Sequence, residues 1–267
     1  MKRIFSLIIP LLLCAWTVDP GQTQRVSNLS CDGHPGIPQW VVDCSADFLV
    51  MRNPTDGTSV TIKSPGTFSP GMPGALSAYA DAYVYATWGS GVGVGGTVST
   101  SPPTVGPSLP SGATHYTYLY AVRLSAGGSM ITGLEIRGSK VYFKEFSYTI
   151  ACDTLSGCPK TSTWDLPVWP SVPNAAHNVC VWWDAEVYSN GGPAWNVAFV
   201  VIGQVPFQFF SIPNSVVAGN FVLCSPIKPS NMNIAWQFYD SSPTPYSSVS
   251  QLFLGYQLLS YSVSNGD

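Results

Sequence analysis

The sequence predicts an antiparallel all-β fold, a sandwich or jelly roll in one domain with long Gly/Pro-rich loops. Three observations carry this. Short runs alternate apolar and polar side chains, the period of a half-buried strand. Abundant turn formers, 25 Gly and 23 Pro, separate these runs. No helical period persists through twelve residues once the amino-terminal segment is passed.

That amino-terminal segment has the layout of an export signal. Lys2 and Arg3 form a basic start and Ile4 to Trp16 an apolar core broken by Pro10, too short for a bilayer-crossing helix of about 20 residues. Residues 1–24 are therefore expected to be removed, with cleavage between Ala15 and Gln24, and residues 25–267 to form the all-β domain, with a smaller subdomain ending near Gly112 as a variant. The expected location is secreted and extracellular, or periplasmic or cell-surface in a bacterium, with no transmembrane anchor after cleavage.

Cys14 leaves with the signal, and six cysteines remain, Cys31, Cys44, Cys152, Cys158, Cys180 and Cys224. An even number in an exported chain reads as disulfides. Proximity favours Cys31 with Cys44 and Cys152 with Cys158, which leaves Cys180 for Cys224. Zinc is not expected, since no CxxC pair exists and His34, His115 and His177 are scattered. Charged residues are only 9% of the chain, 11 basic against 14 acidic. With no basic cluster read from the sequence, neither nucleic acid nor anionic lipid is an expected partner.

The elements follow in order. Asn28-Leu29-Ser30 fits a glycosylation acceptor in a eukaryote. Gln39 to Met51 and Ser59 to Lys63 flank the turn Asn53-Pro54-Thr55-Asp56-Gly57, a hairpin signature. Ser77 to Trp88 alternates as a strand, and Gly89 to Gly96 reads as a flexible loop; with a separate amino-terminal subdomain, Gly89 to Gly112 would be the linker. His115 to Leu124 carries Tyr116, Tyr118 and Tyr120 on one face, a ladder that suits cross-strand packing first and sugar stacking second. Met130 to Ile136 and Lys140 to Ile150 form a hairpin around Arg137-Gly138-Ser139. Ala151 to Asn178 is the longest irregular stretch, with Trp164 and Trp169. Strands are then expected over Asn178 to Tyr188, Ala194 to Val205, Pro206 to Ile212, Val216 to Cys224, Met232 to Tyr239 and Gln251 to Val263.

The strand from Asn178 to Tyr188 carries the candidate site. Alternation puts Val181, Trp183, Ala185 and Val187 on an apolar face, and Cys180, Trp182, Asp184, Glu186 and Tyr188 on the other. Two carboxylates thus lie between two aromatics, with Cα atoms of Asp184 and Glu186 about 6.5 to 7 Å apart.

Three chemistries fit that row. Ring faces and carboxylates suit a neutral polyhydroxyl ligand, so Trp182, Asp184, Glu186 and Tyr188 are the expected ligand-binding residues of a binding or adhesion module, with an extracellular glycan or polymer as partner. The same carboxylates could act as acid and nucleophile of a secreted glycoside hydrolase, although no third carboxylate follows between Val187 and Asn190. With Ser189 or Asn190 they could hold Ca²⁺. Absence of a Gly-x-Ser-x-Gly elbow and of a nucleotide motif makes an enzyme the less expected class. A self-assembling surface protein, or a pore former inserting Gly89 to Thr104, is the remaining alternative.

Overall fold

The computed structural model describes residues 25–34, 41–71, 76–125, 127–128, 133–144, 148–152, 164–167, 171–189, 195–201, 207–211, 216–227, 233–240 and 249–263. The expected export signal, Cys158, Trp169 and Asn190 lie outside these residues. Among the described residues every regular element is a strand. No helix there is long and apolar enough to cross a membrane.

The chain begins with β1 (Val26–Ser27), β2 (Ser30–His34), β3 (Val41–Ser45), β4 (Phe48–Arg52) and β5 (Ser59–Lys63). After these come β6 (Pro70–Gly71), β7 (Asp81–Gly89), β8 (Gly93–Ser99) and β9 (His115–Arg123). The middle holds β10 (Leu134–Arg137), β11 (Lys140–Phe143), β12 (Thr149–Cys152), β13 (Trp164–Pro167) and the long β14 (Ala176–Ser189). It closes with β15 (Trp195–Val201), β16 (Phe207–Ser211), β17 (Val216–Pro226), β18 (Asn233–Asp240) and β19 (Val249–Val263).

Two sheets form the sandwich, which is not a closed barrel. The first runs β1-β4-β9-β7-β8-β6, with β5 also on β4, and the second runs β17-β14-β19-β11-β10-β2-β3, with β12 on β19. A four-stranded ladder, β13-β18-β15-β16, brings β16 beside β17 and β14. Among the described strands every pairing is antiparallel except β6 with β8.

The amino-terminal strands stitch the two large sheets together. β1 leads into β2 and β3 into β4, so a paired ribbon leaves one sheet and enters the other. The corner needs a sharp reversal of backbone direction. Asn28 supplies it with φ 50°, a conformation Asn tolerates better than most residues, and its Nδ2 donates to Asp47 Oδ2 at 2.5 Å. The bridge between Cys44 and Phe68 closes the same edge.

Between the sheets lies one continuous core, where Leu49, Met51, Val84, Leu119 and Val122 meet Leu134, Ile136, Val141, Val179 and Val181, all buried. Each such side chain contributes about 1.5 to 3 kcal/mol of burial. Two polar ties cross this core. Tyr261 on β19 donates its hydroxyl to the Ala121 carbonyl on β9 at 3.0 Å. Arg123 at the end of β9 pairs with Asp81 at 3.1 Å and donates to the Val172 carbonyl and to Asn174 Oδ1, both in the turn that leads into β14.

The tyrosine ladder of β9 belongs to structure. Tyr118 and Tyr120 are buried, and Tyr85 packs its ring 5.7 Å from Tyr116 and 5.8 Å from Tyr118. A bulge between Val84 and Tyr85 shifts the register against β9, and β9 is buried on both faces from Thr117 to Arg123.

One expectation is corrected here. Gly89 to Gly96 is not a flexible loop: Gly89 ends β7, and Gly93 to Gly96 open β8, which pairs residue by residue with Tyr83–Gly89. Gly96 serves close approach, since a Cβ there would lie 2.7 Å from Pro70 on β6. Gly-rich composition here marks tight backbone packing, which reads in sequence like freedom.

Candidate functional site

β14 is the middle strand of the second sheet's longest ladder, flanked over most of its length by β17 and β19. Its alternation separates two rows as the sequence implies. Val179, Val181, Trp183 and Ala185 are buried against the core. Cys180, Trp182 and Asp184 are half-buried on the outer face, and Glu186 is exposed. The side chains of Val187 and Tyr188 lie outside the described residues.

Strand register fixes the neighbours of each outer residue. Trp182 stands between Val222 of β17 and Gln257 of β19, Asp184 between Asn220 and Gly255, and Glu186 between Ala218 and Phe253. Aromatic, amide, carboxylate and apolar groups therefore share one outward surface.

A second aromatic joins them from outside the strand. Tyr148, just before β12, is 45% exposed and donates its hydroxyl to Asp184 Oδ2 at 3.0 Å, with its ring 6.1 Å from that of Trp182. It reaches Asp184 across β19, over Gly255, where a Cβ would fall 1.9 Å from the Tyr148 hydroxyl. Gly255 is thus the opening through which the phenol reaches the carboxylate. Desolvation first, then the hydrogen bond to Asp184 and the negative charges of Asp184 and Glu186, push the Tyr148 phenol up to about 12. It stays a donor throughout the neutral range.

The arrangement has a direct consequence. Replacing Gly255 with alanine is expected to displace Tyr148 from Asp184 while leaving the sheet intact, because the new methyl meets only the far end of a side chain. The phenol then loses its carboxylate partner. An ultraviolet pH titration should show one tyrosine moving down from about 12 toward the usual 10; an unchanged titration curve would refute the contact.

Sequence reasoning named Trp182, Asp184, Glu186 and Tyr188, and the structure brings the first three onto one face. It missed Tyr148 and Gly255. Tyr148 falls inside an ordinary hairpin strand by sequence, and its signal is the isolated Gly255 in the mostly apolar Leu252 to Leu259 run, which marks a bulge or a close approach.

Beside this row a groove of about 620 Å³ opens on the same outer face. It is lined from β10 to β17 by Glu135, Arg137, Lys140, Tyr142, Lys144, Ser260, Leu259, Cys180 and Val222, with Phe143 behind. Val222 belongs to both, as the register partner of Trp182 and as a wall of the groove. Among the described residues no three His, Cys, Asp or Glu side chains gather as a metal site.

Comparison with known proteins gives no family. No family model matches the chain, and no curated protein matches it. Solved structures align loosely. A structure of infectious bursal disease virus, Gx strain, aligns at 9% identity and a TM-score of 0.26, covering 91% of this chain and 59% of that one. The mosquito-larvicidal Cry4Aa toxin of Bacillus thuringiensis aligns at 8% identity and a TM-score of 0.21, covering 88% of this chain and 52% of that one. The chain thus spans little more than half the length of these structures, and at such scores they say nothing of its activity.

Proposed function

We propose that this protein is an exported binding or adhesion module whose outer sheet face, centred on Trp182, Tyr148 and Asp184, takes a glycan. The observation that carries this reading is the Tyr148–Asp184–Trp182 cluster itself. Two rings and a carboxylate are held in fixed mutual geometry on an open sheet face, where a core would have no use for them. Sugars present an apolar face for ring stacking and hydroxyls for hydrogen bonding, and Asp184 keeps a second oxygen free of the Tyr148 bond to accept from them. Asn220 and Gln257, on the strands either side, are placed to add amide contacts. Low surface charge and disulfide cross-links suit such a module outside the cell.

The test is a glycan array probed with the wild type and Trp182→Ala. Wild-type binding to a defined set of glycans is expected, with affinity at least tenfold lower in Trp182→Ala and an unfolding midpoint within a few degrees, since Trp182 is only half-buried. A blank array for the wild type, or full binding by the variant, would end the proposal.

A further inference from the structure

We infer that the groove beside Trp182 selects glycans bearing an anionic group, a uronate carboxylate or a sulfate, with Lys140 as the cation that receives it. This inference rests on the glycan reading above and extends it from a neutral platform to a charged subsite.

The charge distribution is the starting point. Of the 11 Lys and Arg residues, Lys2 and Arg3 lie in the expected export signal, and three of the remaining nine fall between positions 137 and 144. The hairpin of β10 and β11 places these three on the outer face, where all line the groove. Alternation puts Glu135 and Arg137 outward on β10, while Leu134 and Ile136 are buried. On β11, Lys140 and Tyr142 point outward, while Val141 and Phe143 are buried.

The turn then creates an arrangement that costs stability. Gly138, at φ 58°, starts a two-residue reversal, so Arg137 and Lys140 become direct cross-strand partners. Like charges in that relation repel. Arg137 is answered by Glu135, with Nε to Oε1 at 2.6 Å, and Lys144 by Asp32 at 2.5 Å. Lys140 makes no ion pair among the described residues. Among the described residues Lys140 alone of the three lacks a carboxylate partner, and it is set against another cation and faces the groove.

The rest of the groove suits an amphiphilic occupant. Leu259, the Cys180–Cys224 disulfide and Val222, which is 52% exposed, give an apolar wall, and Tyr142 and Ser260 give hydroxyls. From β10 to β17 the surface crosses four strand spacings, about 19 Å. A chain of several sugar rings lying across the strands would stack on Trp182 at one end and present an acidic substituent to Lys140 at the other.

The experiment measures affinity by calorimetry for three probes: oligogalacturonate, its methyl ester, and a sulfated dextran fragment of similar length. Each is titrated into the wild type, Lys140→Gln and Trp182→Ala at low and at physiological salt. At least one acidic probe is expected to bind the wild type tenfold or more tightly than the neutral ester. That preference should shrink with salt and disappear in Lys140→Gln, while binding of the ester is unchanged. The acidic probe that shows it separates carboxylate from sulfate. Equal affinity for acidic and neutral probes, or a preference that survives in Lys140→Gln, overturns the inference and leaves the glycan reading standing so long as Trp182→Ala weakens binding. Binding of none of these probes together with a blank glycan array defeats both.

Discussion

Substituting alanine for Arg123 is expected to lower the unfolding free energy by about 3 to 5 kcal/mol, the usual cost of leaving a buried ionic group without its partner. Arg123 and Asp81 are 6% and 11% exposed, so little solvent is present to take over. The guanidinium also serves the Val172 and Tyr79 carbonyls and Asn174 Oδ1, and removing it would leave these acceptors unfilled as well. The turn entering β14 would thereby lose its tie to β9. Urea denaturation should report the loss, with a smaller deficit in Arg123→Met combined with Asp81→Leu, where no charge is left stranded. A change under 1 kcal/mol in Arg123→Ala would show that Arg123 does not hold the turn entering β14 to the first sheet.

The same pair sets a pH dependence. Burial raises the Asp81 carboxyl above its ordinary 3.8 more than the neighbouring Arg123 charge lowers it. The folded state therefore holds this proton more tightly than the unfolded chain does. Its contribution to stability is complete below pH 3.8 and is lost as pH rises through the raised folded value. Asp81 thus opposes the common acid-destabilising trend of paired carboxylates, and Asp81→Asn should remove its share of the pH profile.

The second large effect concerns Cys180 and Cys224. They sit directly opposite each other on β14 and β17 and close a loop of 44 residues. Chain entropy predicts a loss of about 4 kcal/mol when both are changed to serine. Cys31 and Cys44 close a shorter loop of 13 residues, worth about 3 kcal/mol. The two should also differ toward reductant. Cys31 and Cys44 are buried, while Cys180 and Cys224 lie on the outer face, so a mild thiol should open Cys180–Cys224 first. Peptide mapping after brief reduction checks the order.

How much of this could be read from the chain follows from which forces are local. Strand alternation is local, and it placed the buried row of Val181, Trp183 and Ala185 opposite the outward Trp182, Asp184 and Glu186. Cysteine spacing fitted the pairs Cys31–Cys44 and Cys180–Cys224; Cys152 is also disulfide-bonded, although Cys158 lies outside the described residues. What escaped was set by contacts distant in sequence. Tyr148 meets Asp184 only because β12 pairs with β19 and Gly255 leaves room above that strand. Gly96 of β8 resembled a loop residue because the Pro70 it packs against is more than twenty residues away.

The groove is the more instructive omission. Arg137, Lys140 and Lys144 stand close in sequence, yet the chain was read as having no basic cluster because its total charge is so low. Density within eight residues mattered more than the sum. A two-residue turn at Gly138 brings Arg137 and Lys140 side by side, and β14, β17 and β19 supply the apolar wall from more than 35 residues away. Local charge and distant packing had to be combined before the site was visible.

The most direct test of the account is hydrogen exchange read by mass spectrometry, with and without a glycan that binds the wild-type protein. Protection is predicted to gather in the segments containing Tyr148 to Cys152, Cys180 to Glu186 and Phe253 to Leu259, on one outer sheet face. Protection confined to the first sheet, or spread over the molecule with these segments unchanged, would contradict it.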